Sequence, residues 1–178
     1  MQNIELHALE ASLDDIRLSP REGTIELIVR RPSEGEREVL DEVELDPVEG
    51  VVGDRWYAGG RGELDRQVTL MNSRAAAVIA QTRERWPLAG DQLYIDMDLG
   101  RENLPPGSHL AIGSVVLEVS PLPHTDCRKF VARFGIEAME FVNSPVGKQL
   151  CLRGINAKVI QGGIVKVGQT ARKISNGT

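Results

Sequence analysis

The chain has 178 residues, 41% hydrophobic and 26% charged, with two cysteines and a formal net charge of −5. These fractions exclude a disordered chain, and the acidic balance argues against nucleic acid or an anionic membrane as the partner. No apolar run reaches the ~20 residues that span a bilayer, the N-terminus lacks the basic flank and apolar stretch of a signal, and two thiols make no disulfide framework. The expectation is one cytoplasmic domain over residues 1–178.

Leu6, Leu9, Leu13 and Ile16 recur at helical spacing, so a helical segment within 1–20 packs on the domain and stops at Ser19-Pro20. Residues 24–31 read as a strand with Ile25, Leu27 and Val29 on one face, and Val39, Val43 and Leu45 suggest its partner. Residues 50–65 form a glycine-rich loop, and residues 66–71 a short strand. Asn72 or Ser73 caps an alanine-rich helix that ends before Pro87. Leu93, Ile95 and Met97 alternate cleanly as a half-buried strand. Strands at 110–112 and 115–119 meet at Gly113-Ser114. Residues 127–142 read as two short helices broken at Gly135. The tail, 150–161 and 164–167 around Gly162-Gly163, reads as a closing hairpin. Short strands at close spacing with a few helices predict an α+β, β-rich domain built on a closed or strongly curled barrel.

Cys127 is the residue with most to say about chemistry. It stands after a strand and at the start of a helix, in Pro123-His-Thr-Asp-Cys-Arg-Lys-Phe130. Unpaired N–H groups at a helix start favour a negative sulfur, Arg128 and Lys129 add positive charge, and His124 offers a proton acceptor. Asp126 opposes them. A thiolate there suits a nucleophile, a persulfide carrier or a soft-metal ligand, whereas a buried inert thiol is the bland alternative. Cys151, between two leucines, reads as core. Arg55 and Arg66, with Asp54 and Gln67, sit in or beside the glycine-rich loop and suit an anion, although such loops are commonly structural. Arg101 and Asn103 share a second loop for which turn chemistry alone is sufficient. Arg30-Arg31 reads as a solvated strand edge. His7 and His109 have no partners at ligand spacing.

Taken in order, residues 25–32, Gly50-Val-Val-Gly-Asp-Arg55, Arg66-Gln-Val-Thr-Leu70, Arg101-Glu-Asn-Leu104, residues 124–129, Leu152-Arg-Gly-Ile155 and residues 162–168 resemble the MOSC family, named for the C-terminal domain of molybdenum cofactor sulfurase. The resemblance implies a fold like the β-barrel domain of pyruvate kinase. It implies that Cys127 either ligates molybdenum or carries sulfur as a persulfide, and that Arg101 and Asn103 hold the pterin of the molybdenum cofactor. By the same likeness Asp54, Arg55, Arg66 and Gln67 line or support that pocket. The implied activities are reduction of N-hydroxylated compounds with an electron-donor protein, or sulfur transfer from a cysteine desulfurase; a non-catalytic binding module is the third reading. Pyridoxal phosphate is not expected, since the aminotransferase-like module of the full sulfurase has no counterpart in these residues.

Overall fold

The strand that opens the domain, β1 (Gly23–Arg30), shows how the sequence builds two cores at once. In a computed structural model describing residues 5–59, 62–125 and 128–176, it pairs with β6 (Leu93–Asp96), but the register shifts between Ile25 and Leu27. That bulge turns Ile25 and Ile28 into one apolar cluster and Leu27 and Val29 into another. The expected single face of Ile25, Leu27 and Val29 is therefore split, because one extra residue reverses the side-chain parity.

Around β1 the sheet runs β1–β6–β5–β9–β8–β7–β11, with β5 (Val68–Asn72), β7 (His109–Ile112), β8 (Val115–Pro123), β9 (Ile155–Gln161) and β11 (Thr170–Ser175). Pairing of Gly23 with Ala171 and Thr24 with Thr170 closes it into a seven-strand barrel. Only β5 and β6 run parallel among the described pairs. Gly23 sits at the closure, where a Cβ would come 2.2 Å from the Asp96 carbonyl oxygen, so a side chain has no room. β2 (Glu38–Leu40) extends the sheet beyond β1.

The barrel interior is filled by Ile25, Leu70, Leu93, Ile95, Met97 and Leu117, each with no exposed area. A second core lies outside, where α1 (Leu6–Ala11), α4 (Ser73–Ala80), α5 (Arg128–Phe134) and α6 (Ile136–Asn143) bring Leu9, Ile79, Phe130 and Phe141 against Met71 and Tyr94. Each such side chain contributes about 1.5–3 kcal/mol by leaving water. Asn72 caps α4, its Oδ1 accepting from the N–H groups of Arg74 and Ala75. α2 (Leu13–Arg17) continues α1 after Ser12.

The tail differs from the expected hairpin. β10 (Gly163–Lys166) leaves β9 and pairs instead with β3 (Glu42–Asp46), which also pairs with β4 (Gly50–Val51) in a small separate sheet. A Cβ on Gly162 would lie 2.6 Å from the Leu45 carbonyl oxygen, so the connection is pressed against β3 rather than turning freely in solvent. Cys151 is not in a strand. It lies in the turn between α7 (Pro145–Gln149) and β9, half-buried, with φ of 51°. No helix among the described residues is long and apolar enough to cross a membrane.

Candidate functional site

Four arginines meet on one short stretch of backbone. A 3-10 helix over Arg83–Ala89 ends at Gly90, whose φ of 94° stops it. Its last carbonyls carry the negative end of its dipole; that of Pro87 accepts from the Gly90 N–H, and those after it lie beyond the last helical N–H donors. Arg37 donates to the carbonyl of Pro87, Arg133 to Leu88, Arg153 to Ala89 and Arg31 to Gly90. These side chains come from the end of β1, the loop before β2, α5 and the turn before β9. Successive carbonyls thus gather like charges that would otherwise repel. Burial, followed by the charges of Arg133, Arg31 and Arg55, pushes the pKa of Arg37 below its ordinary value.

All four line a cavity of about 720 Å³. Arg55 at the start of α3 (Arg55–Ala58), Arg66 before β5 and Lys129 in α5 add further positive charge. Glu34, which pairs with Lys129, is the sole carboxylate among the described residues lining it. The Arg55 side chain has no hydrogen-bond or ion-pair partner among the described residues, although its charge acts on the Glu34 carboxylate, and the Arg66 side chain has only the exposed Glu63 at 3.4 Å. The indole Nε1 of Trp56, also in the wall, is buried with no partner among the described residues.

Beneath this wall Asp54 is 1% exposed. Its carboxylate accepts from Arg31 Nε and Nη2, each at 2.9 Å, and from the Trp56 N–H at 3.0 Å, which caps α3. Burial alone would raise the pKa of Asp54, but the Arg31 hydrogen bonds and charge outweigh it and hold the carboxyl below its usual value.

His124 separates this cavity from a second one of about 310 Å³, and both His124 and Arg153 line both. Behind them lies Asp91, wholly buried: Arg153 Nη1 donates to its Oδ2 at 2.8 Å, and His124 Nδ1 stands 3.2 Å from its Oδ1, off the line of a good hydrogen bond. Arg153 also stacks on Phe130, 4.8 Å from the ring centre. Burial is the main force lowering the pKa of His124; Arg153 acts in the same direction and Asp91 against it. The imidazole is therefore neutral near pH 7. Asp91 favours the tautomer with the proton on Nδ1, which leaves Nε2 as an acceptor.

Gly154 makes this arrangement compact. A Cβ there would meet the Leu70 carbonyl oxygen at 2.4 Å and His124 Nδ1 at 3.1 Å, and its φ is 103°.

The barrel and its helices match solved structures. The YuaD protein from Bacillus subtilis superposes with a TM-score of 0.65 over 84% of this chain and 94% of that chain, at 15% identity. YiiM from Escherichia coli gives 0.58 over 86% and 70%, at 21% identity. YiiM from Geobacillus stearothermophilus gives 0.59 over 86% and 75%, at 14% identity. The fold is MOSC-like. No family model and no curated protein matches the sequence.

Within this MOSC-like barrel, Arg55, Arg66, Lys129 and His124 come together at the cationic cavity, with Asp54 supporting it from below. Gln67 does not reach it: fully buried, it donates to the Pro47 carbonyl and accepts from the Val159 N–H, bracing the barrel. Asn103 donates to the carbonyls of Arg21 and Asp98 and ties two loops together. Arg101 lines the smaller cavity, and Arg128 is exposed and lines neither. Cys127 and Asp126 lie outside the described residues.

Arg31, Arg37, Asp91, Arg133 and Arg153 escaped the sequence reading. Arg31 is no solvated edge, since its side chain is 13% exposed and held by Asp54. A partial signal existed for Arg153, which stands in the quoted Leu152-Arg-Gly-Ile155 stretch.

Proposed function

We propose that the chain is a MOSC domain holding a molybdenum cofactor in the cationic cavity, with the Cys127 thiolate as metal ligand. On this reading it reduces N-hydroxylated compounds with electrons from a partner protein. The observation that supports the reading is the cavity's charge together with its place in the chain: Thr125 and Lys129, which stand two residues before and two after Cys127 in the sequence, both line it.

The donor set fits the group. Arg55 and Arg66 are available for paired hydrogen bonds to its phosphate. Arg37 and Arg133, anchored on backbone carbonyls, provide a fixed positive field that need not reorganise when the anion arrives, while Arg31, anchored likewise, is paired with Asp54. The unpartnered Trp56 Nε1 offers a donor to the heterocycle or phosphate. When bound, the group would supply two-electron redox chemistry at its metal. His124 stands at the inner wall as a neutral acceptor, oriented by Asp91, and Nε2 is the atom suited to hold a proton during turnover.

Full-length protein made in cofactor-competent cells should carry near-stoichiometric molybdenum and pterin, Cys127→Ser should lose the metal, and Arg55→Ala should lower the pterin. Folded protein free of both would reject the reading. If such protein instead gained a sulfur atom on Cys127 after incubation with a cysteine desulfurase and cysteine, the persulfide carrier would replace it.

A further inference from the structure

The smaller cavity, on the other side of His124, is chemically unlike the first. Leu104, Val142 and Ile155 supply apolar surface, and Pro106, Pro121 and Pro123 contribute walls that lack an N–H donor. No carboxylate lines it among the described residues. Its volume, about 310 Å³, falls at the lower end of pockets that hold small organic ligands.

Of its cationic groups Arg153 is paired with Asp91, and the other two, Arg101 and Lys148, gather at the end of α7. The Arg101 N–H donates to the Gln149 carbonyl, which brings the Arg101 loop against that helix end. Lys148 lies in the last turn of α7, and the Cys151 sulfur sits 3.7 Å from the Lys148 carbonyl oxygen. Arg101 and Lys148 are exposed, and neither side chain has a hydrogen-bond or ion-pair partner among the described residues. Two nearby acids are otherwise engaged: Asp98 Oδ1 accepts from the Gly100 N–H and Glu102 Oε1 from Gln149. Cys151 is held with positive φ against the wall, a strained backbone state of the kind that persists where surrounding structure enforces it.

We infer that this cavity is a second binding site, for a monocarboxylate with a small apolar body. The carboxylate pairs with Arg101 and Lys148 at the mouth, and the body lies among the prolines, Leu104 and Val142. The inference does not depend on any cofactor in the cationic cavity.

Octanoate is the probe, with 1-octanol as its uncharged counterpart and inorganic phosphate as a plain anion. Binding is followed by calorimetry on the full chain, and occupancy by iodoacetamide labelling of Cys151, resolved by peptide mass spectrometry. Octanoate should bind saturably and slow labelling of Cys151; octanol, and phosphate held in the cationic cavity, should leave that labelling unchanged. Arg101→Gln and Lys148→Gln, both surface changes, should each weaken octanoate roughly tenfold, about 1.4 kcal/mol, and Arg55→Gln should leave it unaltered. Equal protection by octanol, absence of saturable octanoate binding, or loss of octanoate binding in Arg55→Gln would overturn the inference. The last result would place the carboxylate in the cationic cavity.

Discussion

The two cavities that meet at His124 are made from opposite materials. One wall is a set of guanidiniums collected on the carbonyls of Pro87, Leu88, Ala89 and Gly90; the other has prolines, which lack a backbone donor, and aliphatic side chains. The contrast shows how a chain of net charge −5 builds a strongly positive site. Backbone oxygens alone hold Arg37 and Arg133, so the charge of these two is left for a ligand. Arg31 and Arg153 rest on the same backbone but are also paired with buried carboxylates, Arg31 with Asp54 beneath the wall and Arg153 with Asp91 at the partition.

The partition is where the contrast breaks most severely. Asp91→Ala leaves Arg153 buried without its carboxylate and removes the group that orients His124. Stability should fall by about 3–5 kcal/mol, the usual cost of stripping one partner from a buried pair. In urea titrations the exposed control Asp14→Ala, whose partner Arg17 is 3.4 Å away, should change little. A loss comparable to that control would mean that the partition does not hold the two cavities apart.

Gly90→Ala tests the carbonyl rack on the cationic side alone. There is open space around a Cβ at this position, so the penalty is the left-handed backbone, about 1–2 kcal/mol. Relief of that strain would move the carbonyl that accepts from Arg31. Phosphate binding should weaken while octanoate binding stays level. If both ligands weakened together, the two walls would not be separately built.

Elements with a strong local code were legible in the sequence. The break at Gly135 and the Asn72 cap describe what is seen, and Leu93, Ile95 and Met97 do share the barrel core, but β6 ends at Asp96 and buries Tyr94 on its other face, so it is buried on both sides and not half-buried. The barrel closure was not fully legible, because β11 buries only Ala171 and carries no alternating apolar face. β3 and β10 misled for a different reason: each looks like half of a local hairpin, and long-range pairing with one another prevails. The cationic site was half legible. Arg55 and Arg66 sit beside glycines that flag a loop, whereas Arg31, Arg133 and Arg153 gain their meaning from carbonyls at least 45 residues away, with separations of 59, 45 and 64. No local pattern encodes that convergence.

The mildest probe is pH, and it bears on the residue shared by both cavities. In the unfolded chain His124 takes a proton near its ordinary value of about 6.5. In the folded protein burial, aided by Arg153 and Arg31 and opposed by Asp91, delays protonation to lower pH. Between those two values the unfolded state binds more protons, so the contribution of His124 to stability is complete above the ordinary value and is lost as pH falls through the folded one. Asp54 and Asp91 follow the same sign at lower pH. For both, burial raises the pKa, but Arg31 in one case and Arg153 with His124 in the other outweigh it, so acid below about 4 destabilises further. Urea midpoints compared at about pH 8 and pH 5.5 should therefore fall for the native chain and stay nearly level for His124→Asn until the carboxylate range. A native chain that grew more stable on acidification to that point would have a charged imidazole in its folded state. His124 would then face both cavities as a cation, and the partition would join the positive wall instead of dividing it from the apolar one.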